Sequence, residues 1–295
     1  MSSSSIDVYA MILAPKSIDL RDSHVMAIIN LTPDSFYATS RNEDLESARS
    51  AIDRAVAEGA TIVDIGGYSS RPGAEEVSVD EEWRRVRMGL EAVCSMDEGV
   101  VVSIDTFRSE IVRRAVEEFG DVIVNDISAG ELDADMAATV ARLDLCYIAM
   151  HMRGTPQTMQ QMTKYDGGVV GEVVGYFRRR VEELQMAGIA PERIILDPGF
   201  GFAKSTEQNF TLLQGLDNIR ALGYPILVGL SRKSMIYRSL GISAEESLPG
   251  SLALAWQTLQ GGSAILRVHD VGATQQVVRL SNIYRTSIIA DDKAL

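Results

Sequence analysis

Eight short apolar runs, each ending at or beside a polar residue, constrain this chain more than any other feature. They are Val25–Leu31, Thr61–Ile65, Val100–Ile104, Val122–Asn125, Cys146–Met150, Ile194–Leu196, Ile226–Val228 and Ala264–Val268. Each is too short for a buried helix and carries little polar alternation, the pattern of a strand covered on both faces of a parallel sheet. Amphipathic segments with helix signals lie between them. Ser78-Val79-Asp80-Glu81 has capping-box spacing ahead of Trp83, Val86 and Leu90, and Ser243 with Glu246 repeats it before an expected stop at Pro249. Gly59 and Gly120 fall where helices should end, just ahead of the second and fourth runs. Eight alternations without a compositional break or Pro-rich linker predict an α/β fold, a single-domain (β/α)8 TIM barrel over residues 24–295, with 1–23 as a lead-in covering its far end. An open parallel sheet is the competing arrangement. The strand-ending residues favour closure: Asn30, Asp64, Asp105, Asn125, His151, Asp197, Ser231 with Lys233, and Arg267 with His269. A barrel brings all of these to one mouth, whereas an open sheet leaves several far from any shared crevice.

Composition narrows the partners. With 295 residues, 46% of them hydrophobic, the chain can bury a large core without disulfides or a structural metal. Its 28 Lys and Arg against 41 Asp and Glu give 28 − 41 = −13, which disfavours nucleic acid or an anionic membrane as the main partner. An anionic substrate therefore needs a local basic pocket. The two cysteines, Cys94 and Cys146, form no CxxC pair and no zinc spacing, and the Ser-rich start lacks a signal-peptide core. No apolar run approaches membrane-spanning length, so a cytoplasmic location is expected.

Taken singly, Asp64, Asp105 or Asp197 after a strand can equally cap the next element. Three carboxylates converging with Asn30 and Asn125 on one mouth need donors or a cation, and a heterocycle with amide and amine edges supplies such donors. Asn30 with a phosphate oxygen and waters would suit Mg²⁺. Arg71, Lys204, Arg232, Lys233 and Arg267 stand in strand-end loops; each alone reads as surface charge, but together they make sense as a trap for phosphate or carboxylate. Arg267 and His269 alternate along an extended segment, so both can grip one anion where barrels commonly bind phosphate. His24 reads as structural and His151 as packed and hydrogen-bonded. There is no P-loop, no H-E-x-x-H and no G-x-S-x-G elbow, and Gly199-Phe200-Gly201 is a poor dinucleotide fingerprint because it follows the sixth strand. Covalent catalysis is not required, apart from Lys233 as a Schiff-base candidate.

Together the motifs resemble the dihydropteroate synthase family. They are Asn30-Leu31-Thr32-Pro33-Asp34-Ser35-Phe36, Asp64-Ile65-Gly66-Gly67 through Ser70-Arg71-Pro72-Gly73-Ala74, Ser103-Ile104-Asp105-Thr106, Asn125-Asp126-Ile127, Met150-His151-Met152, Asp197-Pro198-Gly199-Phe200-Gly201-Phe202, Ser231-Arg232-Lys233-Ser234 and Arg267-Val268-His269-Asp270. The resemblance spans residues 24 to about 280. It implies a Mg²⁺-assisted transferase of folate synthesis, a sulfonamide target, that condenses 6-hydroxymethyl-7,8-dihydropterin pyrophosphate with 4-aminobenzoate and releases pyrophosphate. It also implies a homodimer, for which the apolar faces of the last two helices are candidates. By matching positions, Asp105, Asn125, Met150, Asp197 and Lys233 would bind the pterin, and Asn30, Asp64, Arg267 and His269 the pyrophosphate, with Mg²⁺ near Asn30. Ser70, Arg71, Pro72, Phe202 and Ser231 would shape the aminobenzoate site. Asp105, Lys233, Asp64 and Arg71 are the catalytic candidates.

Two stretches depart from the family pattern: Tyr68-Ser69-Ser70 stands where many members carry Glu-Ser-Thr, and Tyr37-Ala38-Thr39-Ser40 replaces an acidic, glycine-rich continuation. Both bear on the second substrate. Alternatives are a catalytically silent pterin-binding homologue and a folate-dependent methyltransferase barrel; the latter would not need Ser231-Arg232-Lys233 or Arg267-Val268-His269. A Schiff-base aldolase using Lys233 is more remote.

Overall fold

The computed structural model describes residues 10–13, 16–32, 41–69, 76–96 and 100–292. A hairpin of β1 (Ala10–Leu13) and β2 (Lys16–Asp19) precedes strand β3 (His24–Asn30). Seven more strands follow: β4 (Ile62–Gly66), β5 (Val101–Asp105), β6 (Ile123–Asp126), β7 (Tyr147–Met150), β8 (Ile194–Asp197), β9 (Leu227–Val228) and β10 (Ile265–Val268). Strands β3 to β10 form one parallel sheet in the order β8-β7-β6-β5-β4-β3-β10-β9. Its ends meet through a parallel bridge between Leu196 and Ile226, reinforced by Leu196 N–H donating to Pro225 O at 2.9 Å. The eight expected strands are therefore all present, and the sheet closes into the TIM barrel.

Between the strands run α1 (Arg41–Ala57), α2 (Val79–Cys94), α3 (Ser109–Phe119), α4 (Met136–Arg142), α5 (Val169–Met186), α6 (Thr206–Gln214), α7 (Leu216–Arg220), α8 (Ser234–Leu240) and α9 (Leu248–Gln260), with α10 (Val271–Asp292) after β10. Ser78 caps α2 as its spacing indicates, its hydroxyl accepting from Glu81 N–H at 3.2 Å. Gly59 and Gly120 adopt φ of +103° and +88°, a region that costs Gly little. One expectation is corrected. Ser243 and Glu246 do bond reciprocally, at 2.9 and 3.3 Å, but Pro249 stops nothing and stands in the first turn of α9. A first-turn N–H has no partner within the helix, so proline loses nothing there.

The core has layers. One apolar layer lies between the strands and the surrounding helices. A second fills the barrel at the N-terminal strand ends: Met26, Ile62, Val101, Ile123, Ile148, Ile195, Leu227 and Ile265, covered by Leu20 from the lead-in. Because side chains alternate with period two, the next inward positions follow directly. They are Ile28, Asp64, Ser103, Asn125, Met150, Asp197, Gly229 and Arg267, with Asn30, Gly66 and Asp105 one step higher. The barrel interior thus changes from wholly apolar to mainly polar within one strand step. No helix among the described residues is long and apolar enough to cross a membrane.

Candidate active site

At the floor of the mouth, Asp64 is fully buried. Its Oδ2 accepts from Asn125 Nδ2 at 2.9 Å and from Arg267 Nε at 2.6 Å, while Oδ1 has no partner among the described residues. Arg267 Nη2 also donates to Asp105 Oδ2 at 2.7 Å. One guanidinium therefore spans two carboxylates from neighbouring strands, β4 and β5. Burial opposes the charge on Arg267, but Asp64 and Asp105 outweigh it and hold the group above its ordinary range. Burial likewise pushes Asp105 up to about 7; Arg267 opposes that rise and the negative Asp64 adds to it.

Across the mouth, Asp197 accepts from Gly199 N–H at 2.8 Å and is pushed upward by burial. Lys233 Nζ donates to Phe200 O and lies 5.0 Å from the centroid of the Phe202 ring. Burial, helped by Arg267, brings Lys233 down to about 8 against the pull of Asp197 and Asp105. A third apolar cluster, including Ile127, Met150 and Met152 with Phe202 against it, forms a wall beside these polar groups. The combination is a slot with apolar packing on one side and donors and acceptors at its end, suited to a flat, nitrogen-rich ring.

At the rim, Ser231 Oγ lies 3.1 Å from His269 Nδ1 and accepts from His269 N–H at 3.2 Å, tying the β9 loop to the end of β10. Asn30 and Asp105 flank Gly66, where a Cβ would lie 3.4 Å from Asn30 Oδ1 and 3.5 Å from Asp105 Cβ. Among the described residues no three His, Cys, Asp or Glu side chains cluster as a metal cage.

Asn30, Asp64, Asp105, Asn125, Met150, Asp197, Phe202, Ser231, Lys233, Arg267 and His269 all stand at this end of the barrel. Ser70, Arg71 and Pro72 lie outside the described residues, as do Tyr37-Ala38-Thr39-Ser40. Arg267 and His269 stand at the same mouth with different partners: the guanidinium reaches inward to two carboxylates, and the exposed imidazole bonds Ser231. Two readings change. Arg232 is not part of the anion trap; a φ of +55° turns it outward to Asp270, at 2.9 and 2.6 Å. Lys204 is not a mouth charge either, since it is 4% exposed and bonded within the β8 loop. His151 is packed, as its apolar context indicates, edge-on to Tyr176 at 4.9 Å.

Sequence reasoning missed a support beneath the β5 loop. Glu82, on the inner face of α2 and fully buried, accepts from Thr106 Oγ1 at 2.6 Å and Arg108 Nη1 at 2.9 Å. Its position four residues before Val86, on the buried stripe of α2, was the available signal. Arg108 also lies 5.4 Å from the Tyr68 ring, which meets Phe107 edge-on at 5.1 Å. Tyr68 thus joins the β4 and β5 loops through aromatic packing.

Gly199 offers a direct test of the β8 loop. At φ +68° an added Cβ would lie 2.0 Å from His151 O. Gly199→Ala should cost more than the ~1–2 kcal/mol of left-handed backbone alone, read as a lower urea midpoint, and should abolish binding in the slot.

The family described as pterin binding enzyme matches residues 26–269. Dihydropteroate synthase of Escherichia coli K12 is 44% identical over 265 residues, covering 90% of this chain and 92% of that protein. Among solved structures, Xanthomonas albilineans dihydropteroate synthase with 4-aminobenzoic acid superposes with a TM-score of 0.86 at 37% identity, covering 94% of this chain and 98% of the other. The Yersinia pestis dihydropteroate synthase in a sulfonamide drug complex also gives 0.86, at 33% identity over 94% and 99% of the two chains.

Proposed function

This chain belongs to the pterin-binding enzyme family, and from that membership we propose that it is a dihydropteroate synthase acting in folate synthesis. It joins 6-hydroxymethyl-7,8-dihydropterin pyrophosphate to 4-aminobenzoate and releases pyrophosphate. The observation that carries this reading is the slot itself, an apolar wall at Met150 and Phe202 ending in Asn125, Asp197 and Lys233, with Arg267 and Asp105 beside it.

In this reading Asn125, Asp197 and Lys233 meet the donor and acceptor edge of the pterin, and Met150 packs on its ring. Arg267 and His269, with Asn30 above, hold the pyrophosphate; Asp64 reaches that group through Arg267, because its own carboxylate is fully buried. The C–O bond to the pterin methylene breaks, and its electron pair leaves with the pyrophosphate. Positive charge then spreads into the pterin, and the Asp105 carboxylate stabilises it as it grows. The amine nitrogen of 4-aminobenzoate forms the new C–N bond and releases its proton to solvent. Its site would be shaped by Ser70, Arg71, Pro72, Phe202 and Ser231. No side-chain nucleophile is needed, so Lys233 orients rather than forms a Schiff base.

The oxygens at this end support Mg²⁺: Asn30 Oδ1 and Asp105 stand on either side of Gly66, and among the described residues the buried Oδ1 of Asp64 has no partner. Asn30 would hold the ion together with pyrophosphate oxygens and water, the few-ligand mode that Mg²⁺ favours. When bound it would neutralise charge on the leaving group.

The test follows pyrophosphate release from the dihydropterin pyrophosphate, with and without 4-aminobenzoate and with Mg²⁺ or EDTA. One dihydropteroate per pyrophosphate, lost with EDTA, supports the reading. Pterin binding without turnover under any condition would replace it with a silent homologue.

The homodimer is part of the same proposal. Leu280, Ile283 and Tyr284 are exposed on α10, and Tyr284 packs edge-on to Trp256 of α9 at 5.7 Å. Ile283→Glu should shift sedimentation from dimer to monomer while leaving pterin affinity within about twofold, since charge on a buried apolar patch is costly and the slot lies elsewhere. A cytoplasmic location agrees with the free Cys94 and Cys146.

A further inference from the structure

We infer that Lys204 is a positioning residue for pterin binding: it locks the loop after β8 so that this loop, in turn, holds the Lys233 amine at the slot. Lys204 is a buried lysine whose Nζ has, among the described residues, no carboxylate within hydrogen-bonding distance. Nζ lies 2.9 Å from Gly199 O, 3.0 Å from Phe202 O and 3.0 Å from His151 Nδ1. His151 O is further away, at 3.4 Å. The three short contacts match the three hydrogens of an ammonium, which has donors only. His151 must then accept through Nδ1 and stay neutral, in keeping with the burial and the neighbouring Lys204 that hold it well below its ordinary range. Burial also depresses Lys204, with Lys233 and Arg153 adding to the effect and Asp197 opposing it.

The loop needs such a lock. Gly199, Gly201 and Ala203 adopt φ of +68°, +82° and +51°, a sequence of left-handed residues that does not hold itself. Lys204 bonds the carbonyls on either side of Phe200 and Gly201, while Asn209 Oδ1 takes Gly201 N–H at 2.8 Å. Tyr165 OH donates to Ala203 O at 3.1 Å. The locked segment is the surface on which Lys233 rests. Phe200 O accepts from Lys233 Nζ, an added Cβ at Gly201 would touch Lys233 Cδ at 3.4 Å, and the Phe202 ring faces the amine. The short contacts of Lys204 go to carbonyls of this loop and to His151, so its hydrogen bonds act on Lys233 through backbone.

The inference rests on the reading of Lys233 as a pterin donor, and the experiment separates the two. Full-length wild type, Lys204→Met and His151→Gln are compared in two ways: calorimetric binding of pterin-6-carboxylate, and trace labelling of Lys233 with acetic anhydride across pH. Thermal melts establish which variants are folded. In wild type, Lys233 should label with a midpoint of about 8, reflecting its burial among Asp197, Asp105 and Arg267. Lys204→Met should weaken the pterin at least about tenfold, because small misplacements of an orienting group are costly. It should also move the Lys233 midpoint up by about a unit or more, as the loosened loop admits water and the repulsion between the two amines is lost; His151→Gln keeps that charge and so isolates the loop's share. His151→Gln should shift both in the same direction by less, and it decides the matter if Lys204→Met does not fold. A folded variant with unchanged pterin affinity and an unchanged Lys233 midpoint overturns the inference. Wild type that binds no pterin overturns the reading of the slot instead, while the labelling still judges Lys204.

Discussion

Asp105→Asn should lower turnover by roughly 100- to 1,000-fold, the range seen when one preorganised electrostatic group is removed from a reacting centre. The affinity for 4-aminobenzoate should change by less than about threefold, so steady-state kinetics would show a loss in kcat with KM nearly intact. Equal losses in both would count against charge stabilisation by Asp105. Its pH dependence sharpens the test. Because burial raises Asp105 to about 7, wild-type turnover should climb as pH passes through that value, and the variant should lack this limb. Stability should run the other way. A carboxyl whose folded pKa exceeds its unfolded value binds protons more tightly in the native state, so stability is present at low pH and is lost between about 4 and 7. At pH 8 the variant should therefore melt a few degrees above wild type, and this gain should vanish near pH 4. The site trades stability for a carboxylate held where positive charge will form.

Arg267→Met should be the most damaging substitution in the barrel. It leaves the buried Asp64 and the half-buried Asp105 without their shared cation, and removing one partner of such a network costs about 3–5 kcal/mol. Asp105 can escape by taking a proton, so the deficit in urea unfolding should be smaller at pH 5.5 than at pH 8. Pyrophosphate binding should fall at least tenfold at both pH values. Arg267→Lys would keep the charge yet lose the fork, because an ammonium cannot bond Asp64 and Asp105 in the same planar geometry. It should restore part of the stability and little of the activity. Full activity in the lysine variant would mean that charge, and not the two-pronged bridge, is what the site requires.

Most of the candidate site was legible because a parallel barrel repeats one rule. Once Ile62, Val101, Ile123, Ile195 and Ile265 are recognised as inward, Asp64, Ser103, Asn125, Asp197 and Arg267 must be inward two residues later. The capping spacing at Ser78 and the glycines ending α1 and α3 are equally local, and they were legible for that reason. Pro249 was misread because a proline that ends one helix and a proline that opens the next look identical until the direction of the chain is known.

The basic residues show where local reading stops. Lys204, Arg232, Lys233 and Arg267 carry the same signal, a positive side chain just after or within a strand end. Their fates differ: a cage of carbonyls for Lys204, Asp270 for Arg232, the Phe200 carbonyl for Lys233, and two aspartates for Arg267. The support by Glu82 for Thr106 and Arg108 belongs to the same class. The order of apolar and polar layers was written in the chain, because strand pleating is periodic and acts over two residues. Which charge meets which was settled by closure of the barrel, which brings Arg267 within 2.7 Å of carboxylates 162 and 203 residues away. Coulombic and hydrogen-bond energies depend on distance in space and on the water excluded there, and neither quantity has a period along the chain.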